Sequence, residues 1–506
     1  MGFVRGLLLD ESLLLADDEH GDPFLPPRSA RLLRRLQYSK LRVGICHQED
    51  LSSRKANFLG RTAALYSLEC ISMNPLFITD SLNKKLPALS GSGETCFYVA
   101  SGKSNEPISE LKKLGWKIIY QSVDSLPTTN KDVLLISQLE ELPFILSGFN
   151  KKEDDNLIVV GYVMKPSREE DFAKRGAFPM CPTQNGLMFV PLTLELPLEV
   201  QMKAVDAILH KATDEIISID MSSSVDLPKG ISFSGGMCEL ERYFRGHPEC
   251  CIVDPLGKIY PLLDRLKIQG ILLGLEDLNI KNHNKIRGPH FMKLDSLQDS
   301  NIGDLLLQSK LSFPVILKPQ VACGVADAHN MALVFKLEDF QDLSVPLPAI
   351  AQEYVDHGSL LFKFYVLGDK VFYAIKKSMP NANVLVSSSE KTGFSPLQFN
   401  SLKSLPVAKE DQPSSDVQKI SEQSLDLELV HQAANWLRTT LGLTIIGFDV
   451  VIQEDSGDHV IVDLNYLPSF KEIPDCDAIP AFFNAIKHAY ELWKTKLVTK
   501  NPSDAL

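Results

Sequence analysis

The chain has 506 residues, too many for one ordinary hydrophobic core, so two or three domains are expected. Hydrophobic residues make up 44% of it, a globular proportion, and no apolar run approaches the roughly 18 residues that a membrane span needs. A net charge of −12 argues against bulk nucleic-acid binding, yet leaves room for a local basic pocket that takes a small anion.

In chain order, the opening MGFVRG lacks the Ser or Thr of a myristoylation signal, and the acidic DESLLLADDEHGD argues against a transit peptide. LRVGICHQ, CFYVA, WKIIYQSV and DVLLISQ read as short buried strands. RSARLLRRLQYSK, SSRKANFLGRTAALYSLEC and PISELKKLGW read as amphipathic helices, and the alternation suggests an α/β layer over residues 1–152. NKKEDDN, at 150–156, is polar enough for a boundary. A second part, 157–254, opens with the buried strand LIVVGYVM; EVQMKAVDAILHKATDEII holds a helix and then a strand. MSSSVDLPKGISFSGG, rich in turn formers, reads as a mobile excursion. The third part, 255–500, brings the strands of FPVILKP, MALVF, AIAQEYV and KFYVLGDKVFYAIKKSMP, followed by a Ser-, Lys- and Pro-rich stretch at 384–420 that reads as a lid-like loop. Nine cysteines, an odd number without a C-x-x-C, suit reduced thiols in the cytoplasm or the nucleus.

The last strand-like stretch poses the sharpest question. In GFDVVIQEDSGDHVIVDLNYLPSF, two aspartates interrupt runs that otherwise want to be buried. The turn signal DSG makes a hairpin the natural reading. With the turn centred on Ser456, Asp449 faces Asp463 across the ladder and Asn465 shares their face. Two carboxylates that close need a cation or a shifted pKa. Two acids and an amide are hard oxygen donors that suit Mg2+, which takes few protein ligands and several phosphate oxygens. Taken alone, the pair reads equally well as a solvent-facing polar stripe.

The rest of the chain breaks that tie. Lys318 ends the apolar strand of LSFPVILKP, where a buried ammonium is costly unless an anion meets it. AIAQEYV offers a strand whose backbone can pair an adenine edge near Gln352, Glu353 and Val355, and Lys363, Lys376 and Lys377 follow on successive strands. Strand lysine, hinge strand, basic strand pair and acidic hairpin, in that order, resemble the ATP-grasp fold. A competing signal fails: the Gly-Lys-Ser at 102–104 lacks the P-loop's first glycine, Phe97 standing in its place.

VGYVMK, LHKATDEI, HPECCIVDPL, LLDRLK, FPVILKPQVACGVADAH, AQEYVDHGSLLFKFYVLGDKVF, KSMPN, GFDVVI and VIVDLNYLPSF together resemble the inositol-tetrakisphosphate 1-kinases, also called inositol 1,3,4-trisphosphate 5/6-kinases, over about residues 157–495. The long N-terminal extension is similar to that of a plant subgroup. The resemblance implies an α/β architecture: a pre-ATP-grasp domain at 157–254 that binds inositol phosphates and an ATP-grasp domain at 255–500. It implies an ATP-dependent kinase acting on a hydroxyl of an inositol tris- or tetrakisphosphate, with ATP as co-substrate and two Mg2+ ions. It puts Asp449, Asp463 and Asn465 at magnesium positions and Arg265 and Lys318 at ATP phosphate positions. Gln352, Glu353, Tyr354 and Val355 fall on the adenine hinge, and Ser378 on another nucleotide contact. Arg168, Lys211, His329, Lys363, Lys376 and Asn465 fall where inositol phosphates are met, and Lys318, His329 and Asp463 are expected at the chemistry itself.

Cys323 stands where relatives carry Asp or His, Val325 where Thr is usual, and Ser469 where they have Gly. These departures bear on substrate choice and turnover more than on the ATP and metal positions. Upstream, LLLDESLLL resembles the first strand of a haloacid-dehalogenase-like fold, but Ser12 replaces the second acid of the D-x-D pair, so a catalytically dead domain is expected. Two other readings stand beside the kinase: an inositol phosphate sensor without turnover, and an ATP-grasp carboxylate–amine ligase. The expected partners are inositol polyphosphates and ATP or ADP, with neither nucleic acid nor membrane, and the expected state is a monomer.

Overall fold

A computed structural model of the chain describes residues 2–74, 82, 95–101, 106–121, 134–221, 227–281, 285–393, 396–403, 405–406 and 425–500. The Gly-Lys-Ser at 102–104, residues 222–226 and 407–420 lie outside the described residues. The chain forms two compact units: Met1–His210 with Gly246–Cys251, and Lys211–Arg245 with Ile252–Leu506.

The first unit is built on a six-stranded sheet of β1 (Val4–Asp10), β2 (Arg42–Gln48), β3 (Glu69–Met73), β4 (Thr95–Ser101), β5 (Lys117–Gln121) and β6 (Leu134–Ile136), in the order β3-β2-β1-β4-β5-β6. Every pairing is parallel, which requires crossovers and so buries both faces. The side chains alternate accordingly. Leu7 and Leu9 join Phe97 and Val99 in one core with α1 (Pro27–Gln37), α2 (Ser53–Leu65) and α4 (Leu142–Glu153). Leu8 joins Tyr98 and Ala100 in the other, with α3 (Glu106–Lys113). Helix α4 was not legible as a helix, and the polar NKKEDDN begins inside it: Asn150 is buried and accepts from the Val4 amide at 2.7 Å. Further along, β7 (Ile158–Val163) pairs in parallel with β8 (Leu187–Pro191) on one side and β9 (Ala207–His210) on the other. Arg35 of α1 meets Glu169 of α5 (Pro166–Lys174) at 2.6 and 3.1 Å, tying this sheet's helix to the first layer.

The second unit carries two five-stranded sheets, introduced by α6 (Arg265–Leu273). Its strands are β10 (Ile286–Arg287), β11 (Phe291–Leu294), β12 (Val315–Pro319), β13 (Asn330–Val334), β14 (Ala349–Glu353), β15 (Leu360–Leu367), β16 (Lys370–Lys377), β17 (Leu397–Asn400), β18 (Ile445–Ile452) and β19 (His459–Tyr466). One sheet runs β11-β14-β12-β13-β17, all antiparallel. The other runs β10-β19-β18-β15-β16, antiparallel except at β10. Its buried face is aromatic: Phe364 and Phe448 stack with centroids 5.2 Å apart, and α9 (Asp475–Lys500) packs on β15. The stretch expected as a loop at 384–420 holds most of α7 (Ala382–Thr392) and all of β17. The helix forms because Asp356 accepts from the Ala382 amide at 2.6 Å and Gly393, at φ +68°, closes its C-terminus. A helix, α8 (Leu427–Leu441), precedes the final hairpin. Likewise, SSRKANFLGRTAALYSLEC divides into α2 and the edge strand β3, and part of MSSSVDLPKGISFSGG is the strand Ile231–Phe233, antiparallel to Ile216–Ile219.

Candidate active site

The hairpin β18-β19 brings the two acids together by an indirect route. Nearest the turn, Ile452 pairs with His459, Val451 with Val460 and Val450 with Ile461. In that register Asp449 would meet Val462. A bulge intervenes, and Asp449 instead faces Asp463, with Gly447 opposite Asn465. Asn465 donates to Asp463 Oδ2 at 2.8 Å.

Directly paired and alternate residues share a face of a sheet. On β15, Lys363 is the register partner of Asp449, and its Nζ lies 2.9 and 3.1 Å from the two carboxylate oxygens. Lys376 of β16 pairs with Leu361, placing it on the same face two residues along. One sheet face therefore presents Asp449, Asp463, Asn465, Lys363 and Lys376. Burial pushes Asp449 up to about 6, with Lys363 opposing the rise and Asp463 adding to it.

The other sheet contributes Lys318 at the end of β12. Its ammonium is buried and donates at 3.2 Å to the carbonyl of Val462, the bulged residue. Burial pushes Lys318 down to about 8; Asp463 pulls it up and Arg265 pushes it further down. Arg265, buried at the start of α6, donates to the carbonyls of Pro319 (2.6 Å), Val321 (2.8 Å), Ala322 (3.2 Å) and Ala328 (3.2 Å), so it holds in shape the loop that follows Lys318. Its Nε is buried without a hydrogen-bond partner among the described residues. His329 closes that loop, its Nδ1 3.2 Å from Ser401 Oγ; burial and the neighbouring Arg265 push the imidazole below its ordinary value, so it is neutral at pH 7. Cys323 lies in the same loop, and burial pushes its thiol up against the opposing fields of Lys211 and Arg265. Lys211 donates to the Tyr466 carbonyl and lies over that ring at 4.9 Å, beside Asn465.

The hinge is a braced corner. Gln352 is buried, with Oε1 accepting from Gln269 at 3.4 Å. Glu353 is held by Arg287 at 2.8 and 2.9 Å and by the His290 amide at 2.9 Å. Tyr354 donates its hydroxyl to the Pro380 carbonyl, the Val355 carbonyl meets His357 Nδ1 at 2.6 Å, and the Ser378 amide donates to Ser359 at 2.8 Å. Val355 also joins Val451, Val460, Leu361 and Val462 in a small apolar cluster beside the acids. Sequence reasoning missed Leu361 and Val462 as the floor of this corner. It also missed Glu472, which takes both the Lys376 ammonium and the Tyr365 hydroxyl. Burial raises Glu472, but those two hydrogen bonds together with the charge of Lys376 and a backbone hydrogen bond hold the carboxyl below its usual range. Arg168 is half-buried in the first turn of α5, in the first unit.

In that unit Asp10, at the end of β1, is fully committed. It accepts from the Ser12 amide (3.1 Å), the Ser12 hydroxyl (2.5 Å) and the Tyr98 hydroxyl (2.7 Å), and Ser12 Oγ lies 2.7 Å from Ser101 Oγ.

Comparison with known proteins fits both halves. The inositol 1,3,4-trisphosphate 5/6-kinase ATP-grasp domain family matches residues 280–485, and the family described as ITPK4, N-terminal HAD-like domain matches residues 1–152. The inositol-tetrakisphosphate 1-kinase 6 of Oryza sativa subsp. japonica is 54% identical over 488 residues, 96% of this chain and 88% of that protein. The chain belongs to the inositol-tetrakisphosphate 1-kinase family. A second member, the inositol-tetrakisphosphate 1-kinase of Xenopus laevis, is 28% identical over 316 residues, 62% of this chain and 75% of its own. Among solved structures, the D-alanine–D-alanine ligase of Bacillus anthracis is 13% identical over 68% of this chain and 99% of that one, with a TM-score of 0.36, a likeness too loose to inform the reaction. The inositol-tetrakisphosphate 1-kinase family thus accounts for both the ATP-grasp unit and the haloacid-dehalogenase-like domain that precedes it.

Proposed function

We propose that this chain is an ATP-dependent inositol polyphosphate kinase that transfers the γ-phosphoryl group of ATP to a hydroxyl of an inositol tris- or tetrakisphosphate. One observation carries the reading: a single sheet face pairs Asp449, Asp463 and Asn465 with Lys363 and Lys376, while Lys318 reaches the same hairpin from the facing sheet. Phosphoryl transfer asks for positioning and charge neutralisation more than for covalent catalysis, and this face supplies both.

The donor set fits Mg2+. Among the described residues no three His, Cys, Asp or Glu side chains form a metal cluster, so protein ligands alone would not satisfy a cation here. Two carboxylates and an amide leave positions for phosphate oxygens and water, the coordination Mg2+ prefers. Asp449, Asp463 and Asn465 would hold two such ions, which when bound neutralise and orient the ATP phosphates. Lys318 faces the phosphates from the opposite sheet and Arg265 from the start of α6; a phosphate partner offsets the burial cost of Lys318. Val355, Leu361 and Val462 give the adenine an apolar seat, and Gln352, Glu353, Tyr354 and Ser378 shape its corner. Lys211, His329, Lys363, Lys376 and Asn465 of the second unit meet the anionic substrate. The neutral imidazole of His329 hydrogen-bonds it and need not act as a base.

On this reading residues 157–254 serve as an inositol phosphate-binding domain, 255–500 as the nucleotide domain and 1–152 as a catalytically dead support, in a monomer working in the cytoplasm or the nucleus. No described helix is long and apolar enough to cross a membrane.

The test is incubation with ATP, Mg2+ and a panel of inositol tris- and tetrakisphosphates, with product isomers resolved. The expected result is a more highly phosphorylated product, with the rate reduced about a hundredfold or more by Asp463→Ala. Tight binding of the panel without product would replace the kinase by a sensor, and ADP release that depends on an added amine would replace it by a ligase.

A further inference from the structure

Lys363 poses a problem for the site just described. Its ammonium contacts both oxygens of Asp449, at 2.9 and 3.1 Å, so each oxygen already accepts from a cation. A divalent ion on Asp449 would stand within a few ångströms of that ammonium, and two cations that close repel strongly in a half-buried site. The pair is not locked: the lysine side chain is 25% exposed, against 13% for its partner. A long flexible stem with one exposed side can swing away without unfolding the strand that carries it.

What the ammonium would meet outside is also set by the fold. The neighbouring cation on that face, Lys376, is already matched by Glu472. Released from Asp449, Lys363 therefore becomes the cation of this face whose charge has no acid of its own.

We propose that Lys363 is an internal stand-in for the metal: it neutralises Asp449 in the resting protein, and metal–nucleotide loading displaces it to become a binding cation for the anionic substrate. The inference rests on the kinase reading and adds an order to it. Loading of the first ligand creates part of the site for the second. By linkage the effect is reciprocal, so an anion that draws Lys363 outward also strengthens metal binding. The same ammonium gives the two facing acids a counter-charge on their own sheet face before any ligand arrives.

The experiment uses the full chain and two probes. The first is Mn2+ alone, titrated without nucleotide and read from the electron paramagnetic resonance signal of the free ion. Lys363→Gln and Lys363→Met should each bind Mn2+ about fivefold or more tightly than the wild type, since the competing ammonium is gone. Unchanged or weaker Mn2+ binding in both variants, with far-ultraviolet circular dichroism intact, overturns the proposal. The second is inositol 1,3,4-trisphosphate, titrated calorimetrically into wild-type protein with and without Mg2+ and a non-hydrolysable ATP analogue. Wild-type affinity should rise about tenfold with the loaded nucleotide, and the rise should shrink in the variants. A wild-type ratio of one overturns the proposal even if neither variant folds. If the wild type turns over inositol phosphates but shows no such coupling, the displacement is wrong and the kinase stands. If Mn2+ binding tightens in the variants while no inositol phosphate is bound or phosphorylated, the displacement stands and the kinase falls.

Discussion

A lysine buried at a strand end is the residue on which the nucleotide half of the proposed site turns. Burial lowers Lys318 from 10.5 to about 8, so the folded protein holds that proton less tightly than the unfolded chain. The sign follows: the folded state is free of this cost above about 10.5, bears it increasingly as pH falls from there towards about 8, and bears it in full below that. A nucleotide reverses the balance, because only the charged ammonium pairs with phosphate. Nucleotide affinity should therefore decline as pH rises through about 8. Lys318→Gln should weaken binding about tenfold or more at neutral pH and flatten that alkaline limb, as read by fluorescence titration with a nucleotide analogue. A limb that persists in Lys318→Gln would assign the titration to another group.

At the scale of elements, the register of one hairpin decides whether two acids become a site. Gly447 sits opposite Asn465 and has no room for a side chain: a Cβ there would lie 2.9 Å from Pro468 Cγ and 3.2 Å from the Phe364 carbonyl oxygen. Gly447→Ala should cost about 1–3 kcal/mol by chemical denaturation, and it should weaken metal–nucleotide binding by shifting Asn465. The hairpin itself was legible in GFDVVIQEDSGDHVIVDLNYL, because period-two alternation and a turn signal are local. The pairing of Asp449 with Asp463 was also legible, yet the route was not. The turn lies half a residue from the assumed centre and the bulge at Val462 restores the pairing. Nothing in the sequence marks that bulge, whose carbonyl meets Lys318 from a strand 144 positions away. Helix α7 was missed for a similar reason. Its serines read as loop, while its N-terminal hydrogen bond comes from Asp356, 26 residues upstream. Glu472 gave no signal either, lying outside any periodic element and becoming informative only when the fold brings Lys376 and Tyr365 to it.

At the scale of the whole molecule, two α/β architectures share one chain, and their motifs fared differently. Order and spacing of many short pieces identified the ATP-grasp part, whereas a single strand-end acid pointed to the haloacid-dehalogenase-like part. The same acid underlies the proposal that this domain is silent. Three donors already engage Asp10, and Ser12, bonded to Ser101, stands where a second acid would be needed. The full chain should release no phosphate from p-nitrophenyl phosphate with Mg2+. Hydrolysis that survives Asp449→Ala but disappears with Asp10→Ala would show a working phosphatase instead.

The central claim is that the last hairpin anchors the nucleotide's phosphates through a divalent ion. Anomalous diffraction from crystals grown with Mn2+ and a non-hydrolysable ATP analogue tests it most directly. The expected map has its metal peaks bonded to oxygens of Asp449 and Asp463, with the terminal phosphate beside Lys318. Metal peaks bonded to neither carboxylate, with the nucleotide ordered elsewhere, would contradict it.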